Sequence, residues 1–483
     1  MLTPLARANQ IEHFYRMSKS CLAGVMQLRW KSKYILNENV EEQLQEKLLR
    51  HKHHPGIVPL PTPNPPAWIA ETIHTLIKGH PLSTKQIKEN AEKLITHLHG
   101  RHKPLEDSEI QMKLEIAQSR LTSDSSSDDS QSLKSKRAKR LIKQLIYNWQ
   151  PMEYNETTSL AYLVGRAVQN YTVLYKIFSE IKNREPAFKP YTILDFGSGV
   201  GTVLWAASEI WGNSLQQHLC IDLSNQMHDL SEKFIRTANL KIKGVFYREH
   251  VPAAPTPKYD IVTSAYSLFE LPTASARLSL LANLWEKTDR YLVLVENGTN
   301  AGFKILNEAR DFILDYGTSQ SQQEKSPCVF APCPHNLSCP RYTNDNTPCN
   351  FPITYLPLPI FKPSRTQDEL YSYLVLRKGK LPTPDHDWPR IVRPVLNRSR
   401  QVICRMCTNR GQLEEEIFTK FKNGKNTYRC ARSSNWGHRL PVKLIEEVND
   451  PIRIVQSEEN TETEPKPDER KPVSEINLSK FYD

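Results

Sequence analysis

Hydrophobic and polar positions change rhythm along this chain. Between residues 160 and 181 the side chains Leu160, Leu163, Val164, Ala167, Tyr171, Leu174, Phe178 and Ile181 recur every three or four positions, which predicts one amphipathic helix. Beyond Tyr191 short apolar runs replace that stripe. The runs Thr192–Phe196 (TILDF), 218–222 (HLCID), 245–250 (VFYREH), 260–265 (DIVTSA) and 291–296 (YLVLVE) read as strands, with helical stretches between most of them. Such βα alternation predicts a parallel sheet with right-handed crossovers. A later run at 371–376 (YSYLVL) reads as a further strand.

Upstream, residues 34–122 read as helical and poorly compact. Residues 40–49 (VEEQLQEKLL) predict a helix, and the proline-rich stretch 55–66 cannot continue it. A second helix starts at Ser83, a side chain suited to cap the stretch IKENAEKLITHL. His51-Lys52-His53-His54 reads as a polar loop in preference to a metal site. The segment 123–132 (SDSSSDDSQS) is a low-complexity linker, and Lys134, Lys136, Arg137, Lys139, Arg140 and Lys143 follow it. That run opens a helix whose exposed face suits either phosphate or water.

Composition sharpens the boundaries. Apolar residues make up 39% of the 483 positions and there are 34 prolines, so part of the chain is expected outside any compact core. Net charge is +11, a field that attracts polyanions such as RNA. No run of about eighteen apolar residues exists to span a membrane. Residues 1–33 carry Arg7, Arg16, Lys19, Arg29, Lys31 and Lys33 against the single acid Glu12, with apolar residues interspersed, and read as a mitochondrial transit peptide. The expected organisation is therefore a transit peptide at 1–33, an N-terminal helical region at 34–122 and a disordered serine-rich and basic linker at 123–137. An α/β domain with an insertion at 321–352 follows at 138–380, then a basic C-terminal extension at 381–447 and a disordered tail at 448–483.

The first strand of the α/β pattern ends in Asp195 and runs into Gly197-Ser198-Gly199-Val200-Gly201, after which a helix begins near Thr202. Glycines at the carboxyl end of a first strand let the backbone turn tightly and approach a ligand. Asp222 ends the second strand, where a carboxylate can accept both hydroxyls of a nucleoside ribose. The spacing is that of S-adenosylmethionine-dependent methyltransferases, and no phosphate-loop GxxxxGK[ST] occurs. The fold expected is therefore α/β, a Rossmann-like methyltransferase fold. Catalytic residues are not legible. After the fourth strand the chain reads Ser264-Ala265-Tyr266-Ser267-Leu268-Phe269-Glu270, without the Asn/Asp-Pro-Pro-aromatic motif of amino-methylating enzymes. No cysteine lies between Cys220 and Cys328 to act as a nucleophile. Glu270 offers a base there, but an exposed acid at a helix start is the preferred reading.

Seven of the nine cysteines fall between Cys328 and Cys430, and an odd total without a secretory signal argues against a disulfide framework. Clustered thiolates repel one another unless a cation or cluster neutralises them. The pairs Cys333-Pro334 and Cys339-Pro340 suit an iron–sulfur site, whereas Cys404-x-x-Cys407 is also a common zinc half-site. Spacing leaves iron–sulfur and zinc both open.

Together the motifs resemble the methyltransferase-like protein 17 family of mitochondrial small-subunit ribosomal assembly proteins. The matching pieces are 194–201 (LDFGSGVG), Asp222-Leu223-Ser224, 298–303 (GTNAGF), 331–335 (APCPH), Cys339-Pro340, 349–351 (CNF), Tyr428-Arg429 and Trp436-Gly437. The resemblance spans about residues 139–440. It implies a [4Fe–4S] cluster on Cys333, Cys339, Cys349 and Cys407, the last preferred to Cys404 because the family keeps a cysteine at that second position. Cys328 and Cys430 match no ligand position. It further implies work in the mitochondrial matrix on the small ribosomal subunit, with rRNA and ribosomal proteins as partners. S-adenosylmethionine would sit against Asp195, Gly197, Gly199, Gly201 and Asp222, as a structural ligand or, alternatively, as the donor of an active rRNA methyltransferase. Arg390, Arg393, Arg398, Arg400 and Arg405 lie near the fourth thiolate and are expected to face RNA phosphate. Two positions depart from the family: Asn297 replaces a proline and His438 replaces an acid.

Overall fold

The structure, a computed structural model, describes residues 34–58, 65–123, 140–142, 149–254, 257–320, 325–345, 347–361, 365–381 and 384–445. Residues 1–33, read as a transit peptide, most of the segment read as a linker with its basic run, and residues 446–483 lie outside the described residues.

Five strands form the parallel part of the main sheet: β2 (Thr192–Phe196), β3 (Gln217–Ile221), β4 (Val245–Arg248), β5 (Tyr259–Ala265) and β6 (Thr288–Asn297). Their crossovers are the helices α6 (Thr202–Trp211), α7 (Asn225–Thr237) and α8 (Ala274–Lys287). Two further strands, β7 (Pro327–Ala331) and β9 (Gln367–Lys378), complete the order β4-β3-β2-β5-β6-β9-β7, with β9 antiparallel to both neighbours. The order reverses at β2, and a ligand crevice is expected beyond the carboxyl ends of the strands there. This is a Rossmann-like methyltransferase fold. Buried strands read as continuous apolar runs, and that is why Leu292, Val293, Leu294 and Val295, all fully buried, were legible as β6.

The long helix α5 (Glu156–Arg184) carries the predicted stripe, all eight of whose residues are buried. Its outer side is buried too, because α2 (Ala67–Lys78) and α3 (Thr84–His99) lie over it. Gly165 permits the close approach, since a Cβ there would stand 3.1 Å from Ile95. Residues 67–99 are thus part of the main core, where the sequence suggested a poorly compact region. Ser83 caps α3 through a reciprocal capping box with Gln86.

Two other expectations change. The insertion between β6 and β9 adds two strands to the sheet: after α9 (Asn300–Gln320) come β7 and later β8 (Phe351–Tyr355), both antiparallel to β9. A short cysteine-bearing run that begins with proline gave no strand signal, but pairing with β9 makes it one. The C-terminal extension folds as a four-stranded antiparallel sheet of β10 (Arg390–Ile391), β11 (Leu396–Asn397), β12 (Gln401–Cys407) and β13 (Leu413–Thr419), followed by α10 (Lys425–Ser433) and β14 (Val442–Leu444). Its core contains Trp388, Ile391, Val402, Cys404, Met406 and Phe418, and it recruits the beginning of the described chain. The strand β1 (Tyr34–Leu36) pairs with β14, and the helix α1 (Glu38–Gln45) buries Val40 and Leu44 there. His54 is buried and bonded to Ser434 Oγ at 2.8 Å, which corrects its reading as a polar loop residue.

Candidate functional site

Beyond the carboxyl ends of β2, β3 and β5 lies a cavity of about 620 Å³ lined by Gly197, Gly199, Asp222, Tyr154, Tyr162 and Tyr266, among others. Gly197 and Gly201 hold φ of +70° and +90°, and a Cβ on Gly197 would fall 2.3 Å from the Ser267 side chain. The backbone N–H of Gly199 donates to Asp222 Oδ2 at 2.8 Å, and that of Ser224 donates to Oδ1 at 2.9 Å. These bonds aim the carboxylate while leaving each oxygen further capacity as an acceptor. Asp195 is buried with both oxygens unpartnered, and burial first, then Asp222, raises its pKa well above the usual carboxylate range. Asp195 and Gly201 do not line the cavity themselves: they lie behind its wall of Phe196, Gly197 and Gly199.

Sequence reasoning missed the rest of the lining. Arg101 reaches from beyond α3 to form a bidentate ion pair with Glu270, and Met152 N–H donates to the same carboxylate at 3.0 Å. Glu270 is therefore clamped at the pocket wall and is not the exposed acid expected. Arg166 donates to Glu369 at 2.9 Å and to Asn170 and Asn297 at 3.1 Å each, and lies 5.5 Å from the Tyr266 ring centre. Asn297, the first departure from the family, thus anchors a buried guanidinium. Arg166 and Asn170, set inside an apolar helical stripe, were the signal available for this network. Tyr266 adopts a left-handed φ of +59°, and its buried hydroxyl has no partner.

The second site is built from two distant segments. After β7 the chain carries Cys333, Cys339 and Cys349 around one loop, and β12 delivers Cys407; all four line a small cavity of about 10 Å³. Residues three apart on a strand point to opposite faces. Cys407 accordingly faces the cavity, while Cys404 enters the core of the extension, fully buried. Cys328 faces the Gly379 carbonyl at 3.1 Å, and Cys430 sits in α10 against the same core as Cys404. Burial pushes the Cys333 thiol up to about 11, and raises Cys349 and Cys407 further, with neighbouring thiols adding to it. His335 Nε2 lies 3.3 Å from Cys407 Sγ, and the Arg310 guanidinium fastens the loop through the His335 and Leu337 carbonyls at 3.2 and 2.5 Å. Among the described residues no group of three or more His, Cys, Asp or Glu side chains is drawn in tightly enough for a single metal ion.

The arginines divide. Arg390 is buried, paired with Glu180 at 2.6 Å, and donates to the Pro332 carbonyl at 2.9 Å. It is a structural cation behind the cysteine loop and does not face RNA, because Glu180 of α5 already neutralises it. Arg393 bonds to Thr347 at 2.9 Å, Arg405 pairs with Glu415 at 2.7 Å, and Arg398 and Arg400 are exposed. His438, the second departure, accepts the Asn435 N–H at 3.0 Å, and burial drives its pKa down to about 3.

The strand order and the glycine-rich turn define a methyltransferase-fold protein with an added cysteine cavity. A family model described as mitochondrial small ribosomal subunit Rsm22 matches residues 156–441. The human ribosome assembly protein METTL17, mitochondrial, is 37% identical over 397 residues, covering 81% of this chain and 86% of that protein. The Rsm22-cox11 tandem protein 2, mitochondrial, of Schizosaccharomyces pombe is 25% identical over 325 residues, 59% of this chain and 43% of that protein. Among solved structures, magnesium protoporphyrin IX methyltransferase from Synechocystis with bound SAM is similar at a TM-score of 0.30 and 12% identity, over 48% of this chain and 87% of that one. The chain belongs to the mitochondrial small ribosomal subunit Rsm22 family.

Proposed function

We propose that this protein is an assembly factor of the mitochondrial small ribosomal subunit, working in the matrix on rRNA and ribosomal proteins, with a [4Fe–4S] cluster on Cys333, Cys339, Cys349 and Cys407. The observation that carries the reading is the convergence of one loop's three thiols with a fourth from β12 on a single cavity. Four converging thiols are donors for either zinc or an iron–sulfur cluster, and the Cys333-Pro334 and Cys339-Pro340 pairs favour the cluster. A cluster there would supply a cross-link between the methyltransferase-like sheet and the C-terminal extension. The relatives' names support the ribosomal and mitochondrial parts of the reading. In the other cavity S-adenosylmethionine fits as a ligand: Asp222 would take the ribose beside the Gly197 and Gly199 turn.

The test is purification without oxygen. The protein should be brown, carry about four irons per chain, and co-sediment with small-subunit particles from mitochondrial extract. A colourless protein with one zinc would sink the cluster, and sedimentation apart from the particles would sink the assembly role.

A second reading, an active rRNA methyltransferase, is favoured by the intact glycine turn and the open cavity. Against it, Glu270 is held by Arg101 and the motif that would grip an acceptor nitrogen is absent from Ser264 to Glu270. Transfer of a labelled methyl group from S-adenosylmethionine to small-subunit rRNA would establish it.

A further inference from the structure

Residues 420–433 contain Lys420, Lys422, Lys425, Arg429 and Arg432 and no acid. In α10 the buried side is Thr427, Tyr428, Cys430 and Ala431, so Lys425, Arg429 and Arg432, spaced i, i+4 and i+7, share the exposed side. None of these three has a carboxylate partner among the described residues. Arg432 donates to the Arg398 carbonyl at 2.9 Å, which brings the exposed Arg398 beside the same helix. In the short helical segment Lys420–Asn423 just before α10, Phe421 is 93% exposed.

The N-terminal half of α10 also forms one wall of a groove of about 920 Å³. Lys425 and Arg429 stand on that wall, and Lys47, Arg50 and His51, just after α1, stand on the other. Glu41 is the one acid lining the groove, and its Oε1 already accepts from Asn426 at 2.8 Å. A basic helix face is most often only solvated. Solvation gives no reason, however, for a large aromatic ring left almost wholly in water beside it. A positive groove with a neighbouring aromatic platform is the arrangement that holds unpaired nucleic acid, phosphates along the cations and a base stacked on the ring.

We propose that this groove and Phe421 bind a single-stranded stretch of RNA. The inference rests on the RNA-binding part of the function above, and it assigns the main contact to Lys425, Arg429, Lys47, Arg50 and Phe421, on the α1–α10 face of the extension. An A-form duplex presents no free base face, so the aromatic ring contributes only with an unpaired strand.

The experiment uses the full iron-loaded chain, a fluorescent oligouridine strand and an RNA duplex of equal length. Phe421→Ala should weaken single-strand binding about tenfold, as one lost stacked base does, and leave duplex binding unchanged. Phe421→Trp should restore wild-type affinity. The double variant Lys425→Gln, Arg429→Gln should flatten the slope of log affinity against log salt by about 1.4, roughly 0.7 for each lost phosphate contact. Iron content and melting temperature should stay at wild-type values in every variant, since these side chains are exposed. If wild-type protein binds the strand and all variants match it in affinity and salt slope, the proposal is overturned. Unchanged RNA affinity with lost particle binding would give the face to a ribosomal protein and overturn it equally. Wild-type protein that binds no RNA would instead count against the proposed function itself.

Discussion

Buried carboxyl groups gather where the strands of the main sheet end, and each is held differently. Asp222 takes the N–H groups of Gly199 and Ser224, Asp195 has both oxygens unpartnered, and Glu296 accepts the Leu268 N–H at 3.1 Å. Burial first, then the nearby Glu270, pushes Glu296 up to about 8. Below about pH 4.5 the group is protonated in both folded and unfolded chains. Between there and about pH 8 the unfolded chain gives up a proton that the folded one keeps, so stability falls as pH rises through that window. Above about 8 both are ionised and that loss is complete. Glu296→Gln keeps an acceptor for Leu268 and removes the ionisation. Its melting temperature should therefore change less than the wild type's between pH 5 and 8. Two parallel curves across that interval would show that the group does not stay protonated.

Among the elements, β12 and α5 do most to join the two sites. The strand β12 presents Cys407 to the cavity and Cys404 to the hydrophobic side, a division set by pleating alone. Replacing either with serine should thus have opposite signatures. Cys404→Ser puts a hydroxyl into an apolar core at about 1–3 kcal/mol while iron content holds. Cys407→Ser should cost the iron. Iron analysis and melting of the two variants side by side check this, and iron loss in the first with retention in the second would place the ligand at the wrong cysteine. Helix α5 acts from the other side. Its Glu180 holds Arg390 against the Pro332 carbonyl, so one helix braces both the nucleoside cavity, through Arg166, and the cysteine loop.

Across the whole described molecule, residues far apart in sequence close the C-terminal extension. Tyr34, Leu36, Val40 and Leu44 are buried in its core, and β1 adds its ladder to β14. Each buried side chain of that size contributes about 1.5–3 kcal/mol, so a chain starting at Tyr34 should keep full protease resistance over residues 384–445. A chain starting at residue 46 should be cleaved there rapidly under the same limited proteolysis. Equal resistance in both would mean that the cysteine cavity alone holds the extension.

The sequence by itself determined what neighbours along the chain decide. Strand β2 with its glycine turn, the buried stripe of α5, the cap at Ser83 and the βα alternation depend on periodicity and turn chemistry within a few residues. These were enough for the Rossmann-like methyltransferase fold and, with the cysteine spacing, for the family. Tertiary structure alone decided which charges face water. Arg390 and Arg398 lie eight residues apart in a basic run, yet one is buried against Glu180 and the other is exposed. It alone turned Pro327–Ala331 into a strand, since β9 supplies the hydrogen-bonding partner. It also brought Cys407 to a loop some sixty residues upstream, set Arg101 on Glu270, and paired β1 with β14. In each case the partner lies far away in sequence, and burial, ion pairing and ladder formation are properties of the pair, which no local pattern encodes.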